Sequence, residues 1–130
     1  MIVLDASAAV DLLLRNAVGR RVQELFARDE LVLAPELIYV EVVSAMTRLV
    51  RAGTLADRDA VARINLLHRM PIRRLPHRPL VRRVWELHDR VRISDGFYVA
   101  CAELVGGALL TTDQRLGRAA LPGVTITVVS

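Results

Sequence analysis

Two uninterrupted runs of apolar residues, near opposite ends of the chain, each lead into an aspartate. The first run is Ile2-Val3-Leu4, followed by Asp5, and the second is Ala108-Leu109-Leu110, followed by Thr111-Thr112-Asp113. An apolar run without alternation is typical of a strand buried on both faces, as in the centre of a parallel sheet. In open α/β sheets the functional residues lie beyond the carboxyl ends of such strands, which is where both aspartates are predicted.

Between these runs, strand-like and helix-like patterns alternate. Short apolar or β-branched segments predict further strands at residues 31–34, 72–75 and 125–129. Apolar residues at helical spacing predict helices over residues 8–14, 18–28, 35–52, 56–68, 79–90, 97–105 and 115–120. This alternation favours a three-layer α/β/α sandwich in one domain, residues 1–130, with a mainly parallel sheet of about five strands. Because prolines flank residues 72–75, we expect that strand at a sheet edge.

The composition bears on how much surface the protein buries and on where in the cell it resides. The chain is 53% hydrophobic, which fits a sheet covered by helices or a further surface buried against a partner. No apolar run approaches the ~20 residues that a membrane span requires. The N-terminus lacks the features of a signal peptide, and Cys101 has no second cysteine to pair with. We therefore expect a cytoplasmic protein without a membrane segment.

The charge is unevenly distributed. All eighteen basic residues are arginine, which excludes a catalytic lysine. Residues 69–92 hold eight arginines against two acids, a net charge of +6, whereas the remainder has ten arginines against twelve acids, a net charge of −2. A basic segment beside an acidic site favours a ligand with a phosphate backbone. An ordinary solvated helix face explains the same arginines equally well.

The acids allow two explanations at this stage. If the two apolar strands are neighbours, Asp5 and Asp113 meet at one edge of the sheet. At ~4 Å and an effective dielectric of ~20 their carboxylates would repel by about 4 kcal/mol. Protonation of one carboxylate, or a bound cation, resolves such repulsion. Taken singly, Asp5, Asp95 and Asp113 could each cap a helix, and Glu41 lies only at the edge of an apolar helix face.

The order of these residues resembles that of the PIN-domain nucleases, and most closely the VapC toxins of bacterial toxin–antitoxin pairs. The matching segments are Leu4-Asp5-Ala6-Ser7, Glu41 within residues 37–46, Ser94-Asp95-Gly96 with residues 97–100, and residues 110–116, which contain Asp113. The resemblance covers essentially the whole chain. It implies a metal-dependent endoribonuclease of PIN-like fold that forms a homodimer and is neutralised by a VapB-type antitoxin.

The resemblance also implies roles for individual residues. The acidic cluster would consist of Asp5, Glu41, Asp95 and Asp113. Asp5 and Asp95 would bind Mg²⁺ or Mn²⁺ directly, while the other two acids would contact metal-bound waters or a second ion. Ser7 and Thr112 would supply hydroxyl groups that orient these carboxylates.

One difference from the pattern of the PIN-domain nucleases affects the expected number of bound metal ions. Many relatives carry another acid shortly after the position of Asp113, where this chain has Gln114, Arg115, Leu116 and Gly117. This favours a single ion, or a second ion that arrives with the substrate. Oxygen ligands suit Mg²⁺, whereas the three histidines and Cys101 show no spacing typical of zinc and are interpreted as surface or boundary residues.

The substrate implied is RNA, for which we expect contacts from Arg78, Arg82 and Arg83 in the basic segment. Two other phosphate-handling classes are disfavoured, because receiver domains use a lysine and haloacid-dehalogenase-type phosphatases need an aspartate where this chain has Ser7. The alternative function is a catalytically silent PIN-like module that binds RNA or a protein. Mg²⁺-dependent RNA cleavage that is lost in Asp5→Asn or Asp95→Asn would distinguish the enzyme from the silent module.

Overall fold

The computed structural model, which describes residues 1–27 and 29–130, has one five-stranded sheet at its centre. Its strands are β1 (Ile2–Leu4), β2 (Val32–Pro35), β3 (Ile72–Leu75), β4 (Ala108–Thr111) and β5 (Ile126–Val128). Within these residues all four strand pairs are parallel, in the order β3-β2-β1-β4-β5, with Leu4 opposite Leu110. The predicted fold class and the edge position of residues 72–75 are confirmed, and the two apolar strands are neighbours, which is the condition under which Asp5 and Asp113 meet.

The helices form two layers. Among the described residues they are α1 (Ala6–Leu14), α2 (Ala17–Glu24), α3 (Leu37–Arg51), α4 (Asp57–Arg69), α5 (Val81–Glu86), α6 (Ile93–Val105) and α7 (Gln114–Gly117). Crossovers between parallel strands are right-handed, so helices that connect strands in opposite directions lie on opposite faces of the sheet. The chain moves from β1 through β2 to β3 and then returns to β4. Consequently α1 to α4 cover one face, and α5 with α6 cover the other.

Several predicted boundaries are wrong. Pro35, predicted to begin a helix, is the last residue of β2 and pairs with Leu75; at a strand end the missing N–H of proline costs little. The helix predicted over 18–28 spans Ala17–Glu24, and Arg28 lies outside the described residues. The helix predicted over 79–90 is a 3₁₀ turn, Arg78–Leu80, followed by the short α5.

The central strands supply the core. Val3 and Leu4 of β1 and Leu109 and Leu110 of β4 are buried, because helices cover both sides of these strands. In residues 1–27 and 29–130, no helix combines the length and apolar character needed to cross a membrane. The central position of β1 and β4 fixes the place where the two aspartates leave the sheet.

Candidate active site

A cleft opens at the carboxyl edge of the sheet between β1 and β4. The chain leaves these two strands in opposite directions, toward β2 and β5 respectively, which creates a crevice where α/β proteins bind ligands. The cleft has a volume of about 540 Å³. Its lining includes all four acids of the predicted cluster: Asp5, Glu41, Asp95 and Asp113.

Each acid comes from a different element. Asp5 follows β1 directly and stands at the N-cap of α1, whereas Asp113 stands at the N-cap of α7 and accepts a hydrogen bond from the Arg115 amide at 2.8 Å. Glu41 lies on α3, in one helical layer, and Asp95 lies in the first turn of α6, in the other. The sequence predicted that Asp95 lies just before this helix. Because α6 begins at Ile93, Asp95 instead lies inside its first turn. The fold thus brings residues from 5 to 113 to a single cleft.

Asp5 is held by two hydroxyl groups. The Ser7 hydroxyl donates to its Oδ2 at 2.6 Å, and the Thr111 hydroxyl donates to the same oxygen at 2.7 Å. The Asp5 residue is only 5% exposed, and Thr111 is completely buried. These bonds fix the direction of the carboxyl group before any ligand is bound. Ser7 thus contacts one of the four acids, while its role in metal binding stays a prediction.

Thr112 does not have the partner that was predicted. Its hydroxyl donates to Asp11 at 2.8 Å and not to one of the four acids. The preceding Thr111 takes the expected position, since its hydroxyl both reaches Asp5 and accepts a hydrogen bond from the Asp113 amide at 3.0 Å. Successive side chains of a strand point in opposite directions, so a shift of one residue exchanges the two partners.

Asp11 is a fifth acid in the lining of the cleft, which sequence reasoning missed. Besides the bond from Thr112, it accepts a hydrogen bond from the Asn16 side chain at 2.6 Å. In the sequence Asp11 appears only as an interruption of an apolar helix. Its spacing of six residues from Asp5 corresponds to side chains about 120° apart around a helix, so the spacing offered no signal that both face the same cleft.

Burial raises the pKa of three of these carboxyl groups. For Asp5 burial outweighs the hydrogen bonds from Ser7 and Thr111, which lower the pKa. Burial is also the main reason for the raised pKa of Glu41 and of Asp95, and repulsion from neighbouring acids in the cleft adds to it. Acids with perturbed pKa values that share one cleft are typical of functional sites. A bound cation would relieve the repulsion between these carboxylates.

Two arginines face the acids at the rim. The Arg115 guanidinium lies 2.7 Å from Asp113 and 3.5 Å from Asp95, and that of Arg92 lies 3.4 Å from Asp95 and 3.9 Å from Asp113. Their side chains are 53% and 63% exposed, respectively, so both can turn toward solvent without disturbing the core. These arginines balance part of the negative charge of the cleft.

The residues of the cleft fit a hard divalent cation by their chemistry. Carboxylate and hydroxyl oxygens are the ligands that Mg²⁺ prefers, and it usually takes one or two carboxylates together with water. As the side chains stand, no three His, Cys, Asp or Glu groups among the described residues are close enough to hold one metal ion. In this arrangement Asp95 is paired with Arg92 and Arg115, so a cation at Asp95 would compete with both guanidinium groups.

The three arginines predicted to bind RNA lie outside the lining of this cleft. Arg83 binds Glu103 through two hydrogen bonds, at 2.7 and 3.0 Å, and also binds Glu86. Glu103 follows Asp95 by eight residues on α6, about 12 Å along the helix axis. The lining contains Arg48 and Arg92 instead.

The histidines fit their predicted boundary or surface positions. His68 and His88 are exposed, and His77 is half-buried, where its Nε2 accepts a hydrogen bond from the Leu37 amide at 2.8 Å. His77 thereby satisfies an amide at the start of α3. The described residues that line the cleft include none of the three.

Comparisons with known proteins agree with this geometry. The family model for the PIN domain matches residues 2–121. The chain is 38% identical over 118 residues to ribonuclease VapC12 of Mycobacterium tuberculosis, which covers 91% of each protein.

Two solved structures share the fold. A chain of VapBC2 from Rickettsia felis, bound to a DNA fragment from its promoter, superposes with a TM-score of 0.71 at 11% identity and 100% coverage of both chains. A chain of a toxin–antitoxin complex from Klebsiella pneumoniae gives a TM-score of 0.67 at 14% identity and 96% coverage of both. At these identities the structures support the fold alone, and the sequence matches carry the assignment. The chain therefore belongs to the PIN-domain family, as a member of its VapC group.

Proposed function

We propose that this protein is a Mg²⁺-dependent endoribonuclease that hydrolyses RNA phosphodiester bonds in the cytoplasm and is neutralised by a VapB-type antitoxin. The observation that carries the proposal is the convergence of Asp5, Glu41, Asp95 and Asp113 on one cleft at the carboxyl edge of the sheet. The name of the 38% identical relative supports RNA as the substrate. Mn²⁺ has the same preference for oxygen ligands and is expected to substitute for Mg²⁺.

Two of the four acids would bind the metal ion, and the other two would orient water molecules. Asp5 and Asp95 would hold the ion, with Asp5 kept in place by Ser7 and Thr111. Glu41 and Asp113 would orient water molecules around it. A bound Mg²⁺ supplies positive charge that stabilises the phosphate in the transition state and makes water more acidic. The raised pKa of Glu41 makes its carboxylate a stronger base than an exposed glutamate, which suits it to receive a proton from water.

The rim arginines would change partners when the substrate binds. Arg92 and Arg115 are drawn to Asp95 and Asp113, and a divalent cation would compete for the same carboxylates. Once displaced, each guanidinium could donate two hydrogen bonds to a phosphate, a geometry in which arginine is favoured. Arg115 occupies the region where many relatives have a further acid, so we propose a single resident ion.

RNA affinity tests the role of the remaining arginines. Arg78 and Arg82 are exposed, whereas Arg83 is already engaged by Glu103, so we expect Arg78→Gln combined with Arg82→Gln to weaken RNA binding. If each arginine contacts a phosphate of single-stranded RNA, the slope of log K against log salt decreases in magnitude by about 1.4. Filter binding with Asp5→Asn protein at several salt concentrations measures this slope without cleavage.

Exposed arginines on α3 and α4 provide the control for that measurement. Arg51→Gln combined with Arg58→Gln removes the same charge at positions that do not line the cleft. If both double variants have the same slope, Arg78 and Arg82 belong to an ordinary solvated surface and do not contact RNA.

Two apolar surfaces support the proposed partners. Val81, Trp85 and Leu104, on α5 and α6, are exposed, and Trp85 is 66% exposed. A groove of about 310 Å³ near α1 and α4 is lined by apolar residues that include Leu12 and Met70. Such surfaces suit a second copy of the chain and an antitoxin segment. Light scattering on the protein alone tests the dimer, since a monomer at tens of micromolar would contradict it.

The experiment that tests the function is RNA cleavage by the purified, antitoxin-free protein. We expect new RNA ends in the presence of Mg²⁺, no cleavage with excess EDTA, and recovery when Mg²⁺ is restored. A protein that binds RNA but produces no new ends under any of these conditions would instead support the catalytically silent module. Sequencing of the RNA ends would then identify the cleavage site.

A further inference from the structure

Tyr98 has a buried hydroxyl group that the site described above does not use. The side chain is completely buried on α6, and its Oη has no partner of normal hydrogen-bond geometry among the described residues, although the Glu41 carboxyl group lies close enough to interact with it. Leaving a buried hydroxyl unpaired costs about 1–3 kcal/mol, and nearly all such groups in folded proteins have partners. An apolar phenylalanine would fill the same space without this cost. The hydroxyl therefore calls for an explanation.

The position of Tyr98 points to the acidic cleft. Tyr98 follows Asp95 by three residues, so the two side chains lie on the same face of α6. Its hydroxyl is near Glu41, with Asp5 and Asp95 also in its surroundings. A phenol can donate a hydrogen bond to a carboxylate, and the Glu41 carboxylate is within reach of this hydroxyl.

Glu41 is also the acid that most needs a donor. Asp5 receives bonds from Ser7 and Thr111, and Asp113 receives one from the amide of Arg115. The donor beside the Glu41 carboxyl group is the Tyr98 hydroxyl, which partly offsets the rise that burial causes in the pKa of Glu41, although the geometry of the contact is not that of a normal hydrogen bond. Glutamate has one more rotatable bond than aspartate, so its carboxylate is harder to place without such a bond.

We propose that Tyr98 is a positioning residue for Glu41. When a divalent cation draws the acids together, the Tyr98 hydroxyl donates a hydrogen bond to the Glu41 carboxylate and fixes its direction. This inference rests on the proposed function and adds a residue that acts through Glu41. In metal sites, groups that orient the acids are commonly worth 10–100-fold in metal affinity or activity.

Tyr98→Phe removes the hydroxyl and keeps the ring. We expect kcat for RNA cleavage to fall about 10–100-fold, and Mn²⁺ to bind more weakly, with KM for RNA unchanged. Without divalent cation, the thermal stability of the variant should equal or exceed that of the wild type, because the lost hydroxyl had no partner of normal hydrogen-bond geometry. A hydroxyl that mainly stabilises the fold would give the opposite result, a lower melting temperature. Tyr39→Phe is the matched control, since the Tyr39 hydroxyl binds exposed Arg74 outside the cleft.

A double-mutant cycle on Mn²⁺ affinity, measured by calorimetry, tests whether Tyr98 acts through Glu41. In a Glu41→Ala background we expect Tyr98→Phe to have no further effect on Mn²⁺ affinity. Equal, additive effects in both backgrounds would overturn the proposal, as would an unchanged kcat and Mn²⁺ affinity in Tyr98→Phe. A wild-type protein that neither binds Mn²⁺ nor cleaves RNA would overturn the proposed function and this inference together, whereas an active wild type matched by Tyr98→Phe would overturn this inference alone.

Discussion

Asp5→Asn is expected to abolish Mg²⁺-dependent RNA cleavage, with a loss of about 10³-fold or more. Asp5 is proposed to hold the ion directly, and the charge stabilisation that a metal supplies is worth several kcal/mol, with each 1.4 kcal/mol equal to a factor of ten. The fold should be retained, since both hydroxyl bonds reach the same oxygen of Asp5, and the asparagine carbonyl can accept both. Cleavage of a labelled RNA by the purified variant measures the loss.

The same variant should be more stable than the wild type at pH 8 when divalent cations are absent. Burial raises the pKa of Asp5 above its value in the unfolded chain, so the folded protein holds this proton more tightly. The resulting stabilisation is present below about pH 4, the ordinary pKa of aspartate, and is lost as the pH rises through the raised pKa. Asparagine does not ionise, so the variant escapes this loss. Thermal unfolding at pH 4 and pH 8 in EDTA measures the difference.

Asp59→Asn is the control for both results. Asp59 is exposed in the first turn of α4, and α4 contributes no described residue to the cleft. We expect wild-type cleavage and nearly unchanged stability for this variant. Cleavage that survives in Asp5→Asn, or a variant that is less stable at pH 8, would contradict the assignment of Asp5 as a buried carboxylate that binds the ion.

Thr111→Val is expected to lower both the stability and the activity of the protein. Valine has nearly the same shape, but it removes the donor to Asp5 at 2.7 Å and the acceptor for the Asp113 amide at 3.0 Å. Leaving buried polar groups unpaired costs about 1–3 kcal/mol in the free energy of unfolding. Because Asp5 would then be oriented by Ser7 alone, we expect cleavage to fall about 10–100-fold.

Two companion variants separate the hydroxyl from the rest of the side chain. Thr111→Ser restores the hydroxyl and should recover most of the cleavage, whereas Thr127→Val, at an exposed position of β5, should change neither property. Denaturant unfolding and cleavage assays on the three variants give the comparison. Equal cleavage by Thr111→Val and the wild type would mean that this hydroxyl does not position Asp5.

Much of the site could be predicted because it depends on the ends of strands. The runs before Asp5 and Asp113 indicate buried parallel strands, and such strands present their carboxyl ends at one edge of the sheet. Glu41 and Asp95 were harder to identify from the hydrophobic pattern alone, since each also fits an ordinary helix position. The resemblance to the PIN-domain family supplied these two residues.

What the sequence could not indicate depends on register and on side-chain direction. Thr111 and Thr112 are indistinguishable as a pair of letters, and only the alignment of Leu4 with Leu110 places the hydroxyl of Thr111 beside Asp5. Tyr98 looks like one more apolar residue of a buried helix until its hydroxyl is found beside Glu41, without a partner of normal hydrogen-bond geometry. Likewise, the basic segment gave no sign that Arg83 is committed to Glu103, because that contact joins α5 to a distant turn of α6.

The most direct test of the proposed metal site is the anomalous scattering of Mn²⁺ in crystals of the wild-type protein, at a Mn²⁺ concentration that supports RNA cleavage. We expect a single strong peak in the cleft, within bonding distance of carboxylate oxygens of Asp5 and Asp95, with Arg92 and Arg115 turned away from Asp95. Crystals without a peak in the cleft, or with Asp95 still bound to the two arginines, would contradict the proposed site.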